Sequence, residues 1–447
     1  MKEPLTTYTV VGTGGRVGMF IDPLVRDYHA HTRLAAFCDL SQVRMDFHKR
    51  RLLQTYGTDG IATYPADQFD QMLEEQNPDV VIVCTMDSAH SGYILRSVRH
   101  GCDVICEKPV TTSVEQCAAL LREVPESGRN VRVTFNVRWI PGISQLRRLI
   151  AGGSIGTVRH VNLEYLLNTM HGADYFRRWH SDKASSGGLL VHKSTHHFDM
   201  VNWLVDSIPE TVSAIGDLVF YGKKNALARG DGALTAYERY ADAPAGDPYS
   251  INLQEDDSWR GLYAEAETET GYIRDRNVFR EGITIEDSMS VLVRYRNGVM
   301  LNYSLNAYCP YEGFRLCLNG DKGRLEFETL YPNALFKRRN GQAEFEGNPA
   351  AVTQRTLKRF PLFGEPEEIP VEHLPGSHSG GDPLLQRQMF SAETPEDPLG
   401  RSAGYEQGIA SAIIGIAGNQ SIATGKPVRI SDLIPLAPTA TRLQELI

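Results

Sequence analysis

A chain of 447 residues is too long for one ordinary core, and at about 150 residues per domain it predicts two units, or three at most. Hydrophobic residues make up 41% and charged residues 23%, ordinary usage for a globular chain, which excludes global disorder and a fold built of membrane spans. The net charge of -9, with no basic run longer than HKRR at 48–51, excludes long-range attraction for nucleic acid.

The first segment, MKEPLTTYTVVG, runs straight into an apolar strand with no charged region, apolar stretch and cleavage site before it, which predicts a cytoplasmic protein. From there the pattern is strand, turn, helix, strand: TYTVVG, the glycines, a periodic stretch through Tyr28, then RLAAFCD. A second round follows in DVVIVCT at 79–85, a helix to His100, and DVICEKP at 103–109. NVRVTFNVRW at 130–139 supplies one more strand and closes the unit. Strands alternating with helices predict a doubly wound parallel sheet, a Rossmann-like domain over residues 1–137 of an α/β chain.

Residues 138–447 read differently. HVNLEYLLN, MSVLVRYRNGVMLNYSLNAY and FRLCLNGDKGRLEFET alternate in polarity, which predicts a large, mostly antiparallel sheet with a turn at 296–298. Such a sheet keeps one face wet or pairs it with another subunit. Two polar stretches, 222–270 and 331–385, read as insertions, and loops of that length tend to be functional or mobile. GIASAIIGIAGNQSIATG at 408–425 is broken by Asn419 and Gln420, too short an apolar run for a bilayer and better read as a buried helix. Seven cysteines without a CxxC pair predict reduced thiols.

GTGGRVG at 12–18 follows a predicted strand and opens a helix, where glycines let backbone N–H groups approach a diphosphate. Gly12, Gly14, Gly15, Arg16 and Val17 are therefore candidate cofactor contacts, although Val17 stands where the third glycine belongs and Gly18 comes one residue late. The alternative is a plain turn between strand and helix. Asp39 ends the second strand, where a carboxylate accepts from ribose hydroxyls and repels a 2′-phosphate. NAD is favoured over NADP on that ground, with Arg44 five residues on as the residue that argues the other way. CTMDSAHSGY at 84–93 ends the next strand, so Thr85, Asp87 and His90 are candidates for the nicotinamide side, His90 also reading as a helix cap. In EKPV at 107–110, Glu107 and Lys108 end an apolar strand, and Lys108 points into the crevice as a donor to a substrate hydroxyl; the bland alternative is a solvated lysine.

These motifs, with FNVR at 135–138, GGSIGTVRHV at 152–161, GGLLVHKSTHHFD at 187–199 and the late GIAGNQSIATGKPV, resemble the Gfo/Idh/MocA oxidoreductases over most of the chain. The resemblance implies a Rossmann-like N-terminal domain, a C-terminal α/β domain whose open sheet forms homodimers or homotetramers, a tightly held nicotinamide cofactor, and sugars or cyclitols as substrates. It also implies that Lys108 and His196 surround the reacting carbinol. The chain departs from the family in one place: relatives often carry Asp at the sixth position of the GG motif and His at the tenth, whereas here these are His192 and His196. That makes His192 a second candidate proton carrier.

If the motif is one helix, His192, His196 and Asp199 share a face and His197 turns away. The two histidines four apart resemble a zinc motif, but Lys193 occupies the place of its glutamate, and no metal is expected. A polar helix start with satisfied histidines is the purely structural alternative. Upstream, ADYFRRWHSDKASSGG at 173–188 offers Arg178, Trp179 and His180 to a sugar, with Trp179 as the stacking platform, unless the stretch is an ordinary loop. Arg138 of FNVR is a further substrate candidate, and Glu312 and Arg315 of YCPYEGFR are weaker ones.

The expected activity is NAD(H)-dependent oxidation of a secondary hydroxyl of a sugar, glycoside or cyclitol. One alternative is a glycosidase-like enzyme that oxidises transiently, eliminates and re-reduces. The other is a non-catalytic sensor, against which the retention of Lys108 and His196 argues.

Overall fold

The apolar runs of the first third form six parallel strands: β1 (Thr6–Val11), β2 (Thr32–Asp39), β3 (Ala62–Pro65), β4 (Val80–Val83), β5 (Asp103–Cys106) and β6 (Val131–Val133). The computed structural model describes residues 5–331, 337–339, 342–344, 354–375 and 377–446. The order β6-β5-β4-β1-β2-β3 reverses direction between β1 and β4. Ligands of such sheets bind outside the carboxyl ends of the strands at that reversal. Helices cover both faces, which is why VVIV of β4 needs no polar alternation. The predicted strand at 130–139 is cut to three residues, because the chain turns into a 3₁₀ segment, Asn136–Trp139, directly after Phe135.

The second sheet contains β7 (Val158–Asn168), β8 (Pro209–Asp217), β9 (Ser288–Tyr295), β10 (Met300–Cys309), β11 (Gly313–Gly320) and β12 (Gly323–Leu330). After a two-stranded ribbon, β13 (Lys337–Arg339) and β14 (Gln342–Glu344), the chain adds β15 (Gln354–Pro361) and β16 (Glu367–Glu368). The two-residue β17 (Ala403–Gly404) crosses back to pair antiparallel with β6, giving the first sheet a seventh strand, and β18 (Val428–Arg429) ends the second sheet beside β8. The nine strands of the second sheet pair antiparallel except for β7 with β10.

Alternation shows in the burial of β9, where every second side chain from Met289 to Tyr295 is buried and those between are exposed. The inner face packs on helices, while Ile215, Leu292 and Met300 stand 80%, 57% and 53% exposed on the other. The apolar run near the C-terminus is the helix Tyr405–Thr424, buried as expected. Gly415 allows it to lie against the GG motif, since a Cβ there would stand 2.3 Å from the Leu190 carbonyl oxygen. Ile409, Ile413 and Ile414 are fully buried along it, each contributing roughly 1.5–3 kcal/mol. None of the described helices is long and apolar enough to cross a membrane.

The two predicted insertions differ in outcome. Residues 222–270 form short helical turns, of which Leu262, Tyr263 and Glu269 reach the loops at the ligand end of the first sheet. Residues 332–336, 340–341, 345–353 and 376 of the second stretch lie outside the described residues; the remainder extends the second sheet and leads into the helix Gly381–Phe390. That helix packs back on the first unit, with Phe390 edge-on to Tyr8 at 5.7 Å.

Candidate functional site

The glycine turn at the end of β1 is built for close approach. Gly12 has φ +89°, and a Cβ on it would sit 2.5 Å from the Cys84 carbonyl carbon at the end of β4, so glycine alone fits. No side chain caps the helical turn Gly15–Val17, and nothing lies within 4 Å of where a Cβ on Gly14 would stand. Asp39 accepts from Thr13 N (2.5 Å), Thr13 Oγ1 (2.9 Å) and Ser41 N (2.9 Å), which sets its carboxylate beside the turn. A glycine turn that allows close approach, an uncapped helix start and a strand-end carboxylate fit a dinucleotide. Arg16 and Val17 serve the turn differently. Arg16 donates to Glu107 Oε1 at 2.8 Å, tying the turn to the EKP segment, and Val17 is fully buried in the core.

Three chain segments meet at the next layer. Lys108 Nζ donates to the His192 carbonyl oxygen at 3.0 Å, and His192 Nδ1 lies 2.5 Å from Asp87 Oδ2. A nitrogen and an oxygen that close require a proton between them. Burial pushes the Asp87 carboxyl well up, against the pull of Lys108; it pushes the His192 imidazole well down, aided by Lys108, and lowers Lys108 as well, against Asp87 and Glu107. Glu107 behaves oppositely: burial would raise it, but Arg16 and Lys108 outweigh that and hold it below the usual range. The result is a charged Glu107–Arg16 anchor beside a His192–Asp87 pair that shares a proton.

Aromatic rings enclose His192. His180 stands T-shaped to it at 4.1 Å, Trp179 stacks on His180 at 3.7 Å, and Tyr175 meets His192 edge-on at 5.5 Å. Tyr175 Oη reaches His171 Nε2 (3.0 Å), whose Nδ1 reaches Glu312 (2.9 Å), so Glu312 joins the site through a relay. Lys193 stands over the Tyr165 ring at 5.1 Å, and burial, resisted by Glu312, lowers its pKa to about 8. His171, Tyr165, Tyr175 and Lys193 were not singled out in the sequence as ligand-facing residues; HK at 192–193 was the only local hint for the lysine.

Other sequence candidates stand apart from the Lys108–His192–Asp87 meeting point. The GG motif is not one helix: it breaks after Leu189–His192 and resumes at Thr195–Val205, so His192, His196 and Asp199 do not share a face. Asp199 turns into the core and takes both forks of Arg138 (2.5 and 2.7 Å); both side chains are fully buried, so Arg138 does not face the crevice. His90 is 1% exposed, with Nδ1 2.7 Å from the Pro109 carbonyl oxygen and Nε2 3.1 Å from that of Thr85, so it sits between the two strand-end loops. Arg315 bonds Glu328 and Glu164 on the exposed sheet face, away from the crevice. His197 is buried against Tyr165 and Tyr303. His196 packs edge-on to Phe135 at 6.1 Å, beside the end of β6, and Thr85 remains half-buried at the end of β4. Among the described residues no cluster of ligating side chains fits a metal ion.

The 222–270 insertion reaches this site. Tyr263 Oη takes the Gly15 amide at 3.3 Å, Glu269 accepts from Ser41 Oγ (2.5 Å) and Val43 N (3.2 Å), and Arg44 donates to the Leu262 carbonyl (2.8 Å). The segment thus straps the glycine turn and the loop after Asp39. Arg44, which argued for NADP, is committed to this strap.

Two family models cover the chain: an oxidoreductase family NAD-binding Rossmann fold over residues 6–135, and the same family's C-terminal alpha/beta domain over residues 147–430. The protein YteT of Bacillus subtilis (strain 168) is 33% identical over 425 residues, spanning 94% of this chain and 96% of that one. The inositol 2-dehydrogenase of Rhizobium meliloti (strain 1021) is 32% identical over 136 residues, 30% of this chain and 39% of that enzyme. Among solved structures, an aldose-aldose oxidoreductase of Caulobacter crescentus complexed with glycerol superposes with a TM-score of 0.58 at 17% identity, over 96% of this chain and 100% of that one. An oxidoreductase of Agrobacterium radiobacter in complex with NAD+, L-tartaric acid and magnesium gives 0.59 at 13% identity, over 96% and 99%. With both halves matched and a relative this similar along its whole length, the chain belongs to the Gfo/Idh/MocA oxidoreductase family.

Proposed function

We propose that the protein is an NAD-dependent dehydrogenase that oxidises a secondary hydroxyl of a sugar, glycoside or cyclitol, with Lys108, Asp87 and His192 at the reacting carbon. The observation that carries this reading is the meeting of Lys108, His192 and Asp87 within hydrogen-bond distance beside the glycine turn. Gly12, Gly14, Gly15 and Asp39 would hold the dinucleotide, whose nicotinamide supplies the acceptor for the hydride leaving the carbinol carbon. Asp87 holds the proton on His192 Nδ1, which leaves Nε2 to take the hydroxyl proton. Lys108 stabilises the negative charge that develops on the same oxygen. His196, beside Phe135, serves as a second wall of the pocket, and Trp179 with His180 as the platform against the sugar ring.

His192 stands where the resemblance implies an aspartate, and Asp87 supplies a carboxylate 2.5 Å from its ring. A preference for NAD is supported by a second carboxylate, Glu269, which holds the Ser41 and Val43 donors where a 2′-phosphate would otherwise add charge. The named activities of the relatives, inositol 2-dehydrogenase and aldose-aldose oxidoreductase, are in keeping with the substrate class. The exposed face of the second sheet is the surface we assign to homo-oligomers.

The test is to release and identify bound nucleotide, then follow its absorbance with a panel of sugars, glycosides and cyclitols. A keto product formed with NADH supports the dehydrogenase. Aglycone release without net NADH would replace it by the eliminating enzyme, and bound cofactor that no substrate reduces would replace it by a sensor.

A further inference from the structure

Beside the rings that enclose His192 lies a cluster of cations with too few anions. Asp174 accepts from Arg274 Nη2 (2.7 Å) and Arg178 Nη1 (3.3 Å), and Arg177 Nη1 stands 3.8 Å away. Three guanidinium groups thus share one carboxylate. Arg177 is partly occupied: its Nη2 donates to the Tyr249 carbonyl (2.5 Å) and its guanidinium lies over Tyr240 at 5.1 Å, which leaves only its Nε without an acceptor among the described residues. Arg274 has more to offer. It is only 5% exposed, yet its Nε and Nη1 have no acceptor among the described residues, and neither has Arg178 Nε.

Leaving such donors unmet in a buried place costs roughly 1–3 kcal/mol each, and a fixed guanidinium is the side chain best shaped to receive a carboxylate or phosphate. The rings of Trp259 (5.7 Å) and Tyr263 (5.5 Å) hold the Arg274 guanidinium in place without supplying an acceptor for those N–H groups. The position is specific too. Arg178 immediately precedes the Trp179–His180 stack that abuts His192, so a group received there lies along the same ring platform.

We infer that the substrate is an anionic sugar, a sugar acid or sugar phosphate, whose oxyanion is received by Arg274 and Arg178. This rests on the dehydrogenase reading for the location of the sugar ring, but not for the existence of the anion site. Tyr263 bonds the Gly15 amide while also facing Arg274, so the second source of the same chemistry is the dinucleotide's own diphosphate. Continuity with Trp179 and His180 favours the sugar.

The test is calorimetric titration of the full-length, NAD-loaded protein with a panel of uronic acids and sugar phosphates, D-glucuronate and glucose 6-phosphate among them, each against its neutral parent. At least one anionic member is expected to bind about tenfold or more tighter than its parent, an advantage that Arg274→Met reduces to about twofold and Arg274→Lys restores in part. NAD affinity, measured separately, should change by less than about threefold. Parents and anions binding alike in the wild type would overturn the inference. So would a loss of NAD affinity in Arg274→Met as large as the loss for the sugar, which would hand the cations to the diphosphate. An anionic sugar that binds through Arg274 and never reduces NAD would instead leave this site standing and remove the dehydrogenase reading.

Discussion

Asp87 and Asp199 are both buried carboxylates, 3% and 0% exposed, and both bond to a residue from a distant part of the chain. Asp199 meets a guanidinium fork, with Ser411 as a further donor at 3.2 Å and Gln407 on the other side of Arg138 at 2.8 Å. Every polar atom of that pair is committed, so it locks the GG motif to the 3₁₀ segment after β6. Asp87 instead meets an imidazole, a base with one more nitrogen to offer, in a pocket where Lys108 is the neighbouring cation. The same side chain builds structure where its partner cannot lose a proton and, in the function we propose, serves chemistry where its partner can.

The contrast can be broken from either side. His192→Gln keeps a hydrogen bond to Asp87 but removes the proton acceptor. It should slow the oxidation step about 10²–10⁴-fold, with cofactor binding and the urea midpoint near wild type. A wild-type rate in single-turnover kinetics would remove His192 from the chemistry. Asp199→Ala should do the reverse: stripping one partner from a buried ion pair costs about 3–5 kcal/mol, seen as a lower urea midpoint, while molecules that remain folded retain their KM. An unchanged midpoint would show that the pair is not a lock.

Acid should sharpen the distinction. Burial lowers His48, to about 3, and also His90, His180, His192 and His197, so the unfolded chain takes up protons near pH 6.5 that the folded chain refuses. Stability is therefore fully present above that pH and lost as pH falls below it, by about 1.4 kcal/mol per pH unit for each net proton. Asp87 and Asp199, both raised by burial, bind protons first in the folded state and offset part of the loss. Urea midpoints at pH 7.5, 6 and 5 should fall in that order; equal values would contradict the assignment. The smallest effect is expected at the strap, where Glu269→Gln should relax discrimination against NADP by about tenfold or less, read as the ratio of Kd values for the two nucleotides.

Much of the site was legible along the chain where its determinants are local. The GTGGRVG turn, Asp39 at the end of its strand and Lys108 in EKP each follow an apolar run of the right length, and a parallel sheet brings the ends of such runs to one edge. The departure at His192 was visible as well, but its meaning was not. The carboxylate that its ring meets, Asp87, lies 105 residues earlier, and no periodicity links the two. Arg138, in the FNVR stretch of the family resemblance, was a substrate candidate in the sequence, yet its partner 61 residues on draws it into the core.

The sequence by itself determined the two sheets, the glycine turn and the lysine, because period, turn chemistry and strand ends are properties of neighbouring residues. Only the tertiary structure decided which histidine meets Lys108, which aspartate becomes a lock, and that Tyr263 and Glu269, 248 and 228 residues from Gly15 and Ser41, close over the nucleotide turn. Those choices depend on burial and on the geometry of side chains brought together across the fold, where a few ångströms separate a shared proton from a sealed ion pair.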